Sequence, residues 1–186
     1  RAMGAGAGNP PVLVDETANI PKAAQDIING CTFDNNLPCI AEKEVVVVDT
    51  VADELIYHME QNGCYHASPE EVQKLVDTVL DDKNGKKVIS RKCVGRSAKV
   101  LLGKIGVTVG DEVRCIIFEG EKTHPLIWTE LMMPILGIVR VKNVDEGIAV
   151  AVELEHGNRH SAHMHSTNIN NLTRFGKAID TAIFVK

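Results

Sequence analysis

The chain has 186 residues, of which 44% are hydrophobic and 24% are charged, which is enough for one domain with a full core. A formal net charge of −5 without a Lys/Arg run argues against a nucleic-acid binder. No apolar run reaches the roughly 18 residues of a membrane span, and residues 1–8 lack the long apolar centre of a signal peptide.

Strand and helix patterns alternate along the first half of the chain. Apolar, β-branched runs predict strands, and a capping box at 68–71 marks one helix start. Asn19 is a candidate cap for the first helix, and Gly30 is its predicted terminator. In chain order the predictions are strand 12–15, helix 21–29, strand 44–49, helix 51–61, helix 69–80, polar loop 81–87 and helix 98–104.

The second half repeats this alternation. Its predicted elements are strand 113–118, strand 136–141, helix 144–155, strand 161–166, helix 168–179 and strand 181–185. Buried strands alternating with helices predict an α/β fold with three layers, α/β/α, around a mainly parallel sheet. Such a sheet is expected to carry its chemistry in loops at the strand ends.

The segment 32–43 is the most informative one for function. Residues 34–36 have the composition of a turn, and Pro38 fixes φ one residue before Cys39. Cys39 therefore follows a turn and precedes a buried strand, where a substrate can reach its thiol. On these residues alone, a nucleophilic cysteine and a buried, inert cysteine are about equally well supported.

The other cysteines carry no motif. The total of five is odd, the spacing is irregular and no CxxC pair occurs, which argues against a disulfide framework or a structural zinc site. A reducing, cytoplasmic compartment fits this usage. The remaining thiols are interpreted as small buried hydrophobes: Cys31, Cys64, Cys93 and Cys115. A regulatory disulfide between Cys31 and Cys39 is a conceivable alternative.

Two further patterns suggest a metal site or a phosphate site but are better explained in other ways. Four histidines form pairs at i,i+4 and i,i+2 spacing, so that a zinc site is geometrically conceivable: His156, His160, His163 and His165. Because the pairs straddle Gly157, sheet-edge and surface histidines are the preferred interpretation. The run Gly4, Gly6 and Gly8 follows no strand, so it predicts a close backbone approach near the active-site cleft and no phosphate site.

Four segments in order resemble the CoA-acylating aldehyde dehydrogenases. They are the glycine-rich stretch 6–18, the Cys39 segment, the loop 129–136 with Glu130, and the His-rich segment 155–166. The pattern is closest to the acetaldehyde and propionaldehyde enzymes of ethanolamine and 1,2-propanediol metabolism. Nearly the whole chain is covered, with Ser161 standing where Thr is commoner. The resemblance implies the catalytic-domain fold of an aldehyde dehydrogenase.

The resemblance also implies a role for each matching residue. Cys39 would carry a thioester during reversible, NAD-dependent oxidation of a short aldehyde, and coenzyme A would release the acyl group. The backbone N–H groups of Cys39 and Ile40 would hold the oxyanion. His160 would act as general base for the CoA thiol, and Glu130 would bind the nicotinamide ribose. No metal is implied.

The sequence also leads to expectations about the longer enzyme and its location. The chain opens in a glycine-rich loop and closes directly after an apolar strand, so we expect one thiol-bearing domain of a longer enzyme. Most of the NAD-binding domain would be missing, and the isolated domain would be inactive. The parent enzyme is expected to be a cytoplasmic homo-oligomer, with a bacterial microcompartment and contact with its shell as open alternatives.

Two alternative functions stay open. A hydrolytic aldehyde dehydrogenase would need a general base for water upstream of Cys39, and Glu16 is the one carboxylate in a plausible stretch, although it lies in a helix-start motif. A non-catalytic metal-binding or shell-interaction module built on the histidines would need no thiol chemistry at Cys39.

Overall fold

A computed structural model describes residues 6–186, so that Gly4 lies outside the described residues. The strands are β1 (Pro11–Val14), β2 (Glu44–Val48), β3 (Cys64–His66), β4 (Leu80–Lys83), β5 (Lys86–Ile89), β6 (Cys115–Glu119), β7 (Ile135–Val141), β8 (Ser161–His165) and β9 (Ile183–Val185). The helices are α1 (Ile20–Thr32), α2 (Asp49–Gln61), α3 (Pro69–Val79), α4 (Ala98–Lys104), α5 (Pro125–Trp128), α6 (Val144–Leu154) and α7 (Ile169–Ala178). No helix within residues 6–186 is long and apolar enough to cross a membrane.

Seven of the strands form one parallel sheet in the order β3-β6-β7-β2-β1-β8-β9. The central strand β2 is buried along its whole length, as its run of valines requires. Val45 and Val47 pack with residues of α1 and α2 on one face. Val46 and Val48 pack on the other face, in a core shared with α3, α4, α6 and α7. The prediction of an α/β/α arrangement around a parallel sheet is confirmed.

Gly30 does not end the first helix, and that prediction is wrong. Helix α1 continues to Thr32, and Gly30 lies inside it. A Cβ atom at this position would overlap the carboxylate of Glu42. The glycine is therefore explained by the close approach of a side chain, and not by the end of the helix.

The polar loop expected at 81–87 is also wrong. These residues form most of an antiparallel hairpin of β4 and β5, which is separate from the main sheet. Asn84 and Gly85 make its turn with φ of 55° and 76°, an Asn-Gly pair typical of tight hairpins. Because most residues of these strands are exposed and polar, the sequence lacks the alternation of apolar residues that would predict a hairpin. Two short elements, β3 and α5, were not predicted; the other boundaries agree within about two residues.

Candidate active site

The segments that carry the predicted site residues meet at the amino edge of the parallel sheet. Gly8 precedes β1, Cys39 precedes β2, Glu130 precedes β7 and His160 precedes β8. Strands β7, β2, β1 and β8 are adjacent in that order, so these four loops lie side by side. The candidate site residues therefore lie at the ends of strands opposite to those that most open α/β sheets use.

The turn before Cys39 has an unusual backbone. Asp34, Asn35 and Asn36 all have positive φ, at 48°, 51° and 65°. Asp and Asn tolerate this left-handed region better than other non-glycine residues. The buried Asn36 amide donates to the carbonyls of Cys31 at 3.0 Å and of Glu42 at 2.9 Å. The turn thus joins the end of α1 to the segment that follows the thiol.

The buried side chain of Lys43 holds this turn through hydrogen bonds. Nζ of Lys43 donates to the carbonyls of Asn36 at 2.9 Å and Pro38 at 3.3 Å. Burial lowers the pKa of Lys43, while the negative charge of Glu130 opposes that effect. The carbonyl just before Cys39 is therefore fixed by a cationic group, and Cys39 itself stays exposed.

Gly8 brings the Cys39 loop and His160 together. A Cβ atom at Gly8 would lie 3.0 Å from the carbonyl oxygen of Cys39 and 3.3 Å from Cγ of His160. This agrees with the close backbone approach expected of the glycine run. The His160 backbone N–H donates to the buried Glu155 carboxylate at 2.9 Å, and Nδ1 is hydrogen-bonded to Ser161 Oγ. Within residues 6–186, Nε2 of His160 makes no hydrogen bond.

The assigned oxyanion donors and the ribose-binding carboxylate are both available for a ligand. The backbone N–H groups of Cys39 and Ile40 donate to no acceptor in the described part of the chain. Glu130 is half-buried and has neither a hydrogen bond nor an ion pair among residues 6–186. The negative charge of Glu130 raises the pKa of Lys43 and of Glu44, so Glu130 lies close to both residues at the amino edge of the sheet.

The four histidines differ in their hydrogen bonds, although His163 and His165 line the same cavity. Nε2 of His156 donates to the carbonyl of Trp128 at 3.0 Å, whereas Nε2 of His163 donates to that of Ile40 at 3.0 Å. His165 lines a cavity beside α1. Across residues 6–186, no three His, Cys, Asp or Glu side chains are placed to share a metal ion.

The cysteines other than Cys39 also have distinct environments. All five are free thiols. Cys31 packs against Cys115, with 3.8 Å between their sulfur atoms, and both are fully buried. Burial raises the pKa of Cys115, which disfavours its thiolate. Cys93 is buried as expected, but Cys64 is only half-buried.

The sequence patterns did not reveal a group of buried polar side chains under the site. Asn9 donates to the carbonyls of Ile127 at 3.3 Å and Leu154 at 3.0 Å, but its Oδ1 has no partner in the described residues. Both carboxyl oxygens of Glu44 are likewise buried without a partner there. Burial raises the pKa of Glu44 well above its usual range, and Lys43 only partly offsets this. One signal was available: a carboxylate opens an otherwise apolar strand.

Glu44→Gln should make the fold more stable at neutral and alkaline pH. The folded state holds a proton on Glu44 that the unfolded chain releases above its pKa of about 4.5, so stability is lost as pH rises from there. The free energy of unfolding of the variant should exceed that of the parent chain near pH 8, and the difference should shrink toward zero near pH 4.5. Denaturant titration at both pH values measures this, with the exposed Glu121→Gln as control. A difference independent of pH would contradict the assignment.

Comparison with known proteins gives a consistent result. The family model described as "Aldehyde dehydrogenase family" matches residues 3–185. The chain is 48% identical over 188 aligned residues to the acetaldehyde dehydrogenase (acetylating) EutE of Salmonella typhimurium strain LT2, covering 100% of this chain and 40% of that protein. The chain thus spans well under half the length of this curated relative.

Solved structures share the fold closely. A propionaldehyde dehydrogenase from the Clostridium phytofermentans fucose utilisation bacterial microcompartment has a TM-score of 0.95 and 62% identity, over 98% of this chain and 41% of that one. A propionaldehyde dehydrogenase of Rhodopseudomonas palustris, solved with bound CoA and an acylated cysteine, has a TM-score of 0.95 and 53% identity, over 100% of this chain and 42% of that one.

Proposed function

The chain belongs to the aldehyde dehydrogenase family, and from this membership we propose that it carries the thiol-bearing half of a CoA-acylating dehydrogenase for short aldehydes. The resemblance to acylating enzymes drawn from four motifs is confirmed by its relatives. The observation that carries the proposal is the exposed Cys39 thiol beside Gly8, which closely approaches both the carbonyl of Cys39 and the ring of His160. Propionaldehyde and acetaldehyde are the proposed substrates.

Cys39 is the proposed nucleophile. Its thiolate adds to the aldehyde carbonyl and forms a C–S bond, and the carbonyl oxygen takes the negative charge as a thiohemiacetal anion. The backbone N–H groups of Cys39 and Ile40, which have no acceptor among residues 6–186, are the proposed donors to that oxygen. Loss of hydride from the same carbon restores the carbonyl and leaves a thioester on Cys39. Sulfur suits this route because it attacks the aldehyde well and later leaves the thioester well, when coenzyme A attacks it.

The nicotinamide nucleotide supplies the hydride acceptor when it is bound, and Glu130 is the residue of this chain that we assign to its ribose. The carboxylate fits this role because it is half-buried at the amino edge and has no partner among residues 6–186. Most of the nucleotide-binding residues are proposed to lie outside the 186 residues. An unchanged KM for the nucleotide in Glu130→Gln would remove this assignment.

His160 is the proposed base for acyl release. Coenzyme A attacks the thioester through its sulfur, the thiol proton passes to Nε2 of His160, and Cys39 leaves as a thiolate. The Ser161 hydroxyl and the Glu155 carboxylate hold the imidazole and its backbone, and Nε2 has no competing partner in the described part of the chain. The reverse sequence of steps would reduce acyl-CoA to the aldehyde.

A hydrolytic reaction is disfavoured by the position of Glu16. This residue is exposed and follows the carboxyl end of β1, whereas Cys39 lies at the amino edge. The four residues of β1 separate the two edges by about 13 Å. Glu16 therefore cannot activate a water molecule beside the thioester.

Product analysis of the complete enzyme tests the proposal. With propionaldehyde and the nucleotide, omission of coenzyme A should reduce turnover at least about a hundredfold, because water attacks a thioester much more slowly than a thiol does. With coenzyme A, propionyl-CoA should be the product. Equal formation of free propionate in both reactions would identify a hydrolytic enzyme. A homo-oligomeric state belongs to the proposal as well. So does a location in a bacterial microcompartment, from which the Clostridium relative comes.

A further inference from the structure

His163 fixes the residue that follows the nucleophile. Its Nε2 atom lies 3.0 Å from the carbonyl oxygen of Ile40, so that this nitrogen must carry a proton to donate. The next backbone N–H, that of Ala41, donates to the carbonyl of Pro38 at 3.1 Å. The peptide group between Ile40 and Ala41 is therefore held on both sides. This contact comes from β8 and holds the loop immediately after Cys39.

Glu42 approaches the other nitrogen of the same ring. Its Oε1 atom lies 3.6 Å from Nδ1 of His163, within ion-pair distance although longer than a direct hydrogen bond. Both side chains are about nine-tenths buried, at 9% exposure for Glu42 and 11% for His163. Glycine at position 30 of α1 leaves the room that this carboxyl group occupies.

The number of protons on this pair decides whether both contacts can form. With two protons, one lies between Glu42 and Nδ1 and the other is donated from Nε2 to Ile40, whichever group formally holds the first. With one proton, there are two arrangements. If Nε2 holds the proton, the ring donates to Ile40, and the lone pair on Nδ1 faces the Glu42 carboxylate. If Nδ1 holds it, the ring donates to Glu42, and the lone pair on Nε2 faces the Ile40 carbonyl. One of the two contacts is then repulsive.

We propose that Glu42 and His163 are positioning residues that lock the Cys39 loop for acyl transfer when the pair carries two protons and release it when one is lost. The inference rests on the proposed function of Cys39 as the acylated thiol. The locked state holds the N–H groups of Cys39 and Ile40 where they stabilise negative charge on the thiolate and on the oxyanion.

The surroundings place the loss of the proton near neutrality. Burial raises the pKa of Glu42 to about 7; a hydrogen bond from its own backbone opposes this, Asp26 on α1 adds to it and Lys43 opposes it. Burial lowers the pKa of His163, the Ile40 contact opposes this, and the charge of His165 adds to the lowering. The pair lines a surface cavity of about 360 Å³, which allows proton exchange with solvent.

Two variants of the complete enzyme separate the two contacts. His163→Phe removes both, whereas Glu42→Gln supplies an amide N–H to Nδ1 at every pH and so keeps the lock closed. His66→Phe is the matched control, since His66 also contacts a carboxylate, that of Glu60, but lies on β3 at the far side of the sheet from β8. Acylation of Cys39 by propionyl-CoA and alkylation of Cys39 by iodoacetamide are followed by mass spectrometry.

Ratios of variant to parent rate remove the pH dependence that is common to both proteins. For His163→Phe we expect a ratio of about 0.1 near pH 6 that approaches about 1 near pH 8.5, where the parent lock is already open. For Glu42→Gln we expect about 1 near pH 6 and about 5 near pH 8.5. The His66→Phe ratio should be the same at both pH values.

Ratios independent of pH for both Glu42→Gln and His163→Phe would overturn the proposal. If His163→Phe does not fold, the Glu42→Gln ratio alone decides, because that change preserves shape. Failure of the parent enzyme to accept an acyl group from propionyl-CoA would instead refute the function of Cys39. The alkylation ratios would still test the lock in that case, because iodoacetamide needs only the thiolate.

Discussion

Cys39→Ala should abolish acyl transfer in the complete enzyme. The sulfur of Cys39 forms the covalent bond to the acyl group. Its loss is therefore expected to lower turnover by about a thousandfold or more in both directions of the reaction. No mass increase corresponding to a propionyl group should appear on the variant after exposure to propionyl-CoA. Turnover with aldehyde, nucleotide and CoA, together with intact-protein mass, measures both effects.

Cys64→Ala is the matched control, because Cys64 is half-buried and lies on β3 at the side of the sheet away from the site. That variant should retain the parent rate and the propionyl adduct. Selective alkylation of Cys39 in the parent, with slower reaction of Cys64, would also exclude the non-catalytic module. Retained turnover in Cys39→Ala would end the assignment of the nucleophile.

His160→Ala should slow the release of the acyl group to CoA by about a hundredfold. A positioned general base contributes on the order of 10² to 10⁴ in rate, and the lower value applies because the CoA thiol ionises in part without help. Formation of the thioester on Cys39 should be affected much less, so acyl-enzyme should accumulate in the variant. Rapid-quench mass spectrometry with aldehyde and nucleotide, followed by addition of CoA, separates the two steps.

His156→Ala provides the comparison for this variant. His156 contacts the carbonyl and ring of Trp128, and its ring makes no described contact with the Cys39 loop. We expect its acyl release to match the parent. Slow hydride transfer with normal release in His160→Ala would contradict the role in the CoA step and would suggest that His160 acts on the thiol of Cys39.

Much of the fold could be predicted because its signals are local. The valines of β2 can lie only in a strand buried on both faces, and the capping box at Ser68 and Glu71 forms in the structure as expected. The hairpin of β4 and β5 escaped prediction because its strands are exposed, although the Asn84-Gly85 pair was a usable signal. Short pieces such as β3 depend on pairing with β6.

The residues of the candidate site were proposed from the sequence, but their arrangement could not be predicted from it. Cys39, His160 and Glu130 are far apart in sequence, and only the strand order β7-β2-β1-β8 makes their loops neighbours. The contacts that hold the Cys39 loop were missed for another reason. They depend on the left-handed turn and on the burial of Lys43 and Glu42, two residues that look like surface charges in a sequence.

The helix position opposite Glu42 has a consequence for how sequences of this kind can diverge. Any side chain at Gly30 would overlap the Glu42 carboxyl group, and a shorter residue at position 42 would no longer reach His163. A substitution at either position alone is therefore disfavoured, and a paired exchange would give up the contact to the ring. We expect these two positions to change together among related sequences.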